Sequence, residues 1–206
     1  MTHRTLAVVS GGLRSPSSTR LLADQLAESA RAALIAGGDT VDVRHVELRP
    51  HAHAIVDALL TGFPTGALRD DLAAVVGADA LIVVTPTFQA SYGGLFKSFI
   101  DLVEAGSLRG VPVLLAATGG TERHSLVIEH ALRPLFSYLG AMTVPTGVYA
   151  ATADFGPGAD GLTRRIERAS RELAELTTGT QAPRAPREPE FIPFADLLAA
   201  SGGTEP

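Results

Sequence analysis

Three polar segments, each directly after a short apolar run, hold the residues of this sequence best suited to bind a ligand. The first, residues 10–20, reads Ser-Gly-Gly-Leu-Arg-Ser-Pro-Ser-Ser-Thr-Arg. Its glycines let the backbone approach a ligand closely, and its hydroxyls meet the N–H groups at a helix start. Such a turn suits a phosphate. The hydroxyl donors and the possible cationic partners are Ser10, Ser15, Ser17, Ser18, Thr19, Arg14 and Arg20.

Other nucleotide sites and a purely structural turn are the alternatives for this segment. A helix cap at Ser15, with the remaining hydroxyls in solvent, is the structural alternative. The segment lacks the Gly-Lys-Ser/Thr ending of a P-loop, which argues against ATP or GTP hydrolysis. It also lacks G-x-G-x-x-G, and Glu47 lies well beyond the roughly 20 residues expected for a ribose contact. Rossmann-type NAD binding is therefore the weaker alternative.

Two later segments, residues 85–101 and 117–124, are suited to a planar ring. Pro86 stiffens the first of them, while Phe88 and Tyr92 offer flat apolar surfaces beside polar groups. Glycines in the second let a ring approach backbone N–H groups. Together with the phosphate turn, the two segments indicate a mononucleotide that carries a large heterocycle.

Five short apolar runs must position these segments. They are Thr5 to Val9, Val41 to Val46, Ala80 to Thr85, Val111 to Ala116 and Met142 to Val148. Segments with apolar residues every three or four positions separate them, which predicts helices between strands. This alternation predicts a parallel α/β sheet with helices on both faces, a flavodoxin-like three-layer sandwich with five strands in the order 2-1-3-4-5. The three polar segments then lie at the carboxyl ends of neighbouring strands.

Composition limits the class of protein. The 206 residues are 46% hydrophobic, which suits one domain, predicted over 1–180, and a Pro-rich tail over 181–206 that is extended or docks on a subunit. The net charge of −5 disfavours nucleic-acid binding. No cysteine is present, so redox chemistry needs a bound cofactor. The absence of a long apolar run predicts a cytoplasmic protein with no membrane contact.

The motifs carry a family resemblance from about Arg4 to Ala174. Gly-Leu-Arg-x-x-Ser follows the first strand, Thr-Pro-x-Phe-x-Ala-Ser-Tyr-x-Gly-Leu-Phe-Lys-x-Phe-x-Asp the third and Ala-Thr-Gly-Gly the fourth. This combination resembles the NAD(P)H-dependent FMN reductase family. The resemblance implies a flavodoxin-like fold, FMN, hydride transfer from NADH or NADPH, and homodimers or homotetramers, in some members serving a flavin-dependent monooxygenase.

The resemblance also implies which residues contact FMN. Near the phosphate it places Ser10, Arg14, Ser17, Ser18 and Thr19. Near the ring and ribityl chain it places Pro86, Thr87, Phe88, Gln89 and Ser91, together with Thr118, Gly119, Gly120 and Thr121. Many family members have Tyr at the position of Phe88. Phe88 can still stack on the flavin ring, but it has no hydroxyl to donate a hydrogen bond.

The predicted function is therefore an NAD(P)H-dependent FMN reductase. The alternatives are a reductase of quinones, azo dyes or metal oxyanions with tightly held FMN, and a flavin-binding electron carrier without enzymatic activity. No catalytic side chain is assigned, because the two cofactors carry the hydride chemistry. No metal site is expected either, since His51 and His53 have no evident carboxylate partner in the sequence.

Overall fold

The computed structural model describes residues 1–156 and 160–179 and centres on a parallel sheet. The long strands are β1 (His3–Ser10), β2 (Thr40–Glu47), β3 (Ala80–Phe88) and β5 (Pro112–Gly119). The short strands are β4 (Ser91–Tyr92), β6 (Met142–Thr143) and β7 (Val148–Ala151). The sheet order is β2-β1-β3-β5, with β6 and β7 both pairing in parallel with β5. The flavodoxin-like order is confirmed.

The sheet contains seven strand segments where the sequence predicts five strands. The antiparallel pair of β4 with the end of β3 adds one segment. The fifth predicted strand divides into β6 and β7, which pair with opposite ends of β5. Pro145 lies in the gap and has no N–H for a ladder, and a Cβ on Gly147 would lie 2.5 Å from Ile128 Cγ2. A continuous fifth strand was therefore a wrong prediction.

Helices cover both faces of the sheet. On one face lie α1 (Ser18–Ala36) and α6 (Asp160–Gly179). On the other face lie α2 (Ala52–Thr61), α3 (Gly66–Gly77), α4 (Gly94–Ile100), a π-helical turn (Ile128–Leu132) and α5 (Arg133–Tyr138). Short 3₁₀ turns span Arg49–His51, Glu122–His124 and Thr152–Phe155.

The period of two along the strands divides the core between the two faces. In β1, Leu6 and Val8 pack against α1 and α6, while Ala7 and Val9 pack against the opposite helices. Each of these side chains is essentially fully buried. Burial of a Leu or Val side chain contributes about 1.5–3 kcal/mol, so double coverage fixes the register of each strand.

This architecture brings the ends of three adjacent strands to one edge of the sheet. The carboxyl ends of β1, β3 and β5 adjoin there, followed by the three polar segments. The predicted tail lies outside the described residues. Within residues 1–156 and 160–179, no helix has both the length and the apolar character that a bilayer span requires.

Candidate functional site

The turn between β1 and α1 forms the first part of the site. Helix α1 begins one residue after Ser17, whose Oγ accepts a hydrogen bond from the Arg20 N–H at 3.3 Å. Ser17 therefore caps the helix, rather than Ser15, and Pro16 precedes the helix instead of opening it. A Cβ on Gly12 would lie 2.2 Å from Ser17 Oγ, so a larger residue there would displace the capping hydroxyl.

A cleft of about 350 Å³ opens beside this turn. Its lining is rich in hydroxyls and charged groups: Ser10, Gly12, Arg14, Ser15, Pro16, Ser17, Arg20, Leu21, Asp24, Glu47 and Arg49. Arg20 donates to Asp24 and to Glu47, so its charge is already balanced. In the described part of the chain, Arg14 and Arg49 have no ion-pair or hydrogen-bonding side-chain partner. These two arginines are therefore available to an anion.

The hairpin of β3 and β4 forms the second part. Gln89 and Ala90 at its tip both have positive φ, 49° and 63°, the sign required by a two-residue type I′ turn. Such conformations are costly for residues with a Cβ and occur most often at functional sites. The buried Thr85 hydroxyl accepts from the Gly93 N–H at 2.9 Å and supports the hairpin base. The hairpin holds Phe88 in place with 47% of its surface exposed.

The end of β5 forms the third part. Thr118 and Gly119 belong to the strand itself, not to a loop after it, because β5 continues pairing with β7 as far as Gly119. Tyr149 of β7 donates its hydroxyl to the Thr121 carbonyl at 2.7 Å and thereby fixes the loop that follows. A Cβ on Gly119 would lie 2.0 Å from the Tyr149 hydroxyl. Gly120, by contrast, faces open space.

Direct contacts hold the three parts together. The Thr19 and Thr118 hydroxyls are 2.8 Å apart and buried, so their hydrogen bond joins the start of α1 to the end of β5. The Gly11 N–H donates to the Val84 carbonyl at 2.9 Å. Pro86 is buried beneath Gly11 and Gly93. These threonines and Pro86 therefore support the site from below.

The predicted residues thus fall into two groups by exposure. Buried ones are Ser10, Thr19, Pro86 and Thr118. Partly or fully exposed ones are Arg14, Ser17, Ser18, Thr87, Phe88, Gln89, Ser91, Gly119, Gly120 and Thr121. All of them lie at the same edge of the sheet, although Gln89 is at the hairpin tip and Ser91 is paired opposite Phe88 in β4.

Two side chains at this edge were missed from the sequence. Arg49 follows β2, and its position beside the phosphate turn depends on β2 pairing with β1. Tyr149 reaches the site only because β7 pairs with β5. Burial raises the pKa of the Tyr149 phenol. The nearby Thr87 hydroxyl lowers this pKa and the Asp154 carboxylate raises it, and the net shift is upward. The phenol therefore stays protonated and able to donate at neutral pH.

The histidine prediction needs a correction. His51 Nε2 lies 2.8 Å from Asp71 Oδ2, and Arg44 also donates to this buried carboxylate. The carboxylate partner that the sequence did not reveal comes from α3, twenty residues away in sequence. Among the residues that the structure describes, no group of three or more His, Cys, Asp or Glu side chains is arranged to hold a metal ion.

The arrangement fits a phosphorylated flavin. At one end is an anion cleft whose Arg14 and Arg49 have no side-chain partner among the described residues, and at the other are an exposed aromatic ring and the open Gly120. Between them lies the buried Thr87 hydroxyl, close to the Tyr149 phenol. Fold and site together define a flavodoxin-like protein with a mononucleotide site at the carboxyl edge of its sheet.

Comparison with known proteins specifies the family. The family model described as NADPH-dependent FMN reductase matches residues 4–156. The chain belongs to this family, which confirms the resemblance seen in the motifs. The protein is accordingly an oxidoreductase of the NAD(P)H-dependent FMN reductase class, with FMN and a reduced nicotinamide as its cofactors.

Relatives agree with this assignment. The chain is 45% identical over 150 residues to the "NADH-dependent FMN reductase SfnF" of Pseudomonas putida, covering 73% of this chain and 78% of that protein. It is 42% identical over 150 residues to the "FMN reductase (NADPH)" of Pseudomonas aeruginosa, with the same coverages. An oxidoreductase structure from Corynebacterium diphtheriae matches with 46% identity and a TM-score of 0.84, covering 87% of this chain and 99% of that one.

Proposed function

We propose that this reductase binds FMN along the edge formed by the ends of β1, β3 and β5. The phosphate would occupy the cleft beside the first turn, and the ring would lie between the β3–β4 hairpin and the loop after β5. The observation that carries the proposal is the buried Thr19–Thr118 hydrogen bond, which joins the first and third segments directly, while the Gly11 N–H bond to the Val84 carbonyl ties the first segment to β3.

The phosphate end of the proposed site is held by charge and by N–H groups. Arg14 supplies a guanidinium on the turn that has no side-chain partner in the described ranges, and Arg49 lines the same cleft just after β2. Ser17 and Ser18 stand at the start of α1, where backbone N–H groups and the helix dipole favour an anion. Ser10 lines the bottom of the cleft.

At the other end of the proposed site, an aromatic side chain and backbone N–H groups would bind the flavin ring. Phe88 offers an exposed aromatic face, and the rigid turn at Gln89 and Ala90 fixes its position. The Gly120 N–H has no hydrogen-bond partner within the described residues, so it can donate to the polar edge of the ring.

These residues bind and orient, and no side chain is assigned to acid–base chemistry. When bound, FMN would supply the hydride-accepting chemistry for the reduced nicotinamide. The protein's part is to keep one face of the ring open at the distance that hydride transfer requires. The exposure of Phe88 and Gly120 is consistent with an open face.

The physiological setting is part of the proposal. The reduced FMN would leave to supply a flavin-dependent monooxygenase in the cytoplasm. Assembly into homodimers or homotetramers is supported by strongly exposed apolar side chains such as Leu60, at 81%, and Phe63, at 76%. Light scattering of the purified protein measures the oligomeric state.

Oxidation of NADH and of NADPH, each with and without added FMN, tests the proposed activity. We expect turnover that depends on added FMN and an FMN affinity measurable by fluorescence titration. Turnover without added flavin, together with a yellow purified protein, would favour the alternative of a quinone, azo or metal-oxyanion reductase with tightly held FMN. Flavin binding without oxidation of either nicotinamide would favour an electron carrier.

A further inference from the structure

A compact charged cluster forms one wall of the phosphate cleft. Arg20 Nε donates to Asp24 Oδ1 at 2.7 Å, and Arg20 Nη1 donates to Glu47 Oε1. Asp24 lies on the next turn of α1, whereas Glu47 is the last residue of β2. All three side chains line the cleft beside Arg14. The wall nearest the proposed phosphate therefore contains two carboxylates as well as an arginine.

The charges of the cleft lining nearly cancel. Three arginines and two carboxylates line it, which leaves one positive charge in excess. His45 adds none at neutral pH, because burial and, secondarily, Arg20 lower its pKa despite the opposing effect of Asp24. A phosphate monoester carries close to two negative charges at this pH. The cleft is therefore less positive than its arginine content suggests.

Glu47 is the group in this cluster whose removal disturbs the fold least. Its side chain is 49% exposed, and among the described residues Arg20 is its only ion-pair or hydrogen-bonding side-chain partner. Asp24, in contrast, pairs with Arg20 within α1 and also lies 3.6 Å from His45. The charge of Glu47 is thus not required to anchor the end of β2, whose backbone is held by pairing with β1.

We propose that Glu47 is a specificity-determining residue that weakens the grip of the cleft on the FMN phosphate by neutralising Arg20. The proposal rests on the proposed function, because it concerns the same phosphate site. Its consequence is that FMN exchanges with solvent as a substrate does, instead of remaining bound as a prosthetic group. Arg20 and Glu47 together would set the residence time of the flavin.

Measurement of flavin affinity in Glu47→Gln tests this role. The substitution keeps the size of the side chain, removes one negative charge and frees Arg20 Nη1 for the ligand, while Arg20 Nε stays paired with Asp24. We expect the Kd for FMN to fall about three- to tenfold at low salt, the effect of one charge at a partly exposed site. The Kd for riboflavin, which lacks the phosphate, should stay within twofold. The gain for FMN should shrink at high salt.

Two further variants separate the role of Glu47 from general effects. Glu175→Gln makes the same charge change at an exposed position near the end of α6. That end of α6 lies close to Gly37, at the end of α1 away from the cleft. Because α1 has 19 residues, the two ends of this helix are about 28 Å apart. The Kd of Glu175→Gln for FMN should match the original protein. Glu47→Asp keeps the charge and should retain the original affinity to within about twofold.

Each result has a definite meaning. An unchanged or raised Kd for FMN in Glu47→Gln would overturn the proposal, and a raised value would show that Glu47 holds Arg20 in its binding position. Equal tightening for FMN and riboflavin would also overturn it, since the effect would not involve the phosphate. If the unsubstituted protein bound neither flavin, the proposed function itself would be contradicted, and this role of Glu47 with it.

Discussion

Two irregular segments of the chain differ in whether their polar groups have hydrogen-bond partners. The break in the fifth strand, residues 144–147, has partners for its groups. Arg133 donates to the Val144 and Pro145 carbonyls at 3.0 and 3.1 Å. Glu172 accepts from the Thr146 N–H and hydroxyl, both at 2.7 Å. This break is therefore a stabilised part of the fold.

The turn before α1 leaves several of its polar side chains without partners among the described residues, although Ser17 caps the helix. In the ranges that the structure describes, Arg14, Ser15 and Ser18 have no side-chain hydrogen bond to the rest of the chain. Satisfied groups stabilise a fold, whereas groups left open can bind a ligand at no cost in intramolecular bonds. We therefore expect substitutions at the break to change stability and substitutions at the turn to change FMN binding.

The strongest test of this comparison is Arg133→Ala. The substitution removes hydrogen bonds to Thr143, Val144 and Pro145 and the ion pair with Glu129. Because two carbonyls lose their donor, the free energy of unfolding should fall by about 2–3 kcal/mol. Denaturant unfolding measures the loss, and the Kd for FMN should stay within twofold.

Arg31→Ala is the control for Arg133→Ala. Arg31 contacts Glu28 at 3.9 Å on the exposed side of α1, an ion pair expected to contribute under about 1 kcal/mol. If Arg133→Ala lost as little stability as the control, the break would not depend on the hydrogen bonds from Arg133.

On the other side of the comparison, Arg14→Ala should weaken FMN binding about tenfold, which corresponds to the loss of one charge-assisted contact to phosphate. The free energy of unfolding should hardly change, since Arg14 has no described side-chain partner to lose. Fluorescence titration with FMN and with riboflavin measures the effect, which should appear with FMN alone. Arg69→Ala, at an exposed position of α3, is the matched control. Equal weakening for both flavins would argue against a phosphate contact.

The fold was predictable because its signals are local. Five apolar runs separated by helical periodicity are enough to indicate a doubly covered sheet, and the strand ends at Ser10 and Phe88 differ from the prediction by only one to three residues. The break in the fifth strand carried a local signal too, since Pro145 and Gly147 interrupt the run from Met142 to Val148.

Side-chain pairing at the site was not predictable in the same way. The Arg20–Glu47 and His51–Asp71 contacts join different elements, and no local pattern specifies them. The Thr19–Thr118 bond joins residues 99 positions apart. Motif spacing identified which segments meet, whereas the division into supporting and exposed residues required the three-dimensional packing.

A pH-dependent test concerns Glu172 at the break. Burial raises the pKa of this carboxyl, but hydrogen bonds from Thr146 and Arg168 outweigh burial and lower the pKa in the folded protein. Its stabilising effect is therefore complete above its unfolded-state pKa, near 4.5, and disappears as the pH falls through the lower folded value. Glu172→Gln should be less stable at pH 7 by about 1 kcal/mol, the loss of charged hydrogen bonds. The difference should narrow below about pH 4.

Glu175→Gln is the control for Glu172→Gln, because it changes an exposed carboxylate one turn further along α6. Urea unfolding of the three proteins between pH 3 and pH 7 gives the comparison. A stability difference that stays constant over this range would contradict a role for the ionised carboxylate at the break.

The smallest expected effect belongs to Tyr149, which connects the two regions. It lies in β7, directly after the break, yet its hydroxyl holds the Thr121 carbonyl at the ring end of the site. Tyr149→Phe keeps the packing and removes one hydrogen bond, which should cost about 0.5–1 kcal/mol of stability. The Kd for FMN and the Kd for riboflavin should both rise about two- to threefold, because the loop beside the ring loses the hydrogen bond that fixes it. This change is smaller than the tenfold change in Kd that corresponds to about 1.4 kcal/mol. Tyr138→Phe, at a side chain that is 84% exposed, should change neither quantity. If Tyr149→Phe lowered stability and left both affinities unchanged, the loop after β5 would belong with the stabilised break and not with the binding site.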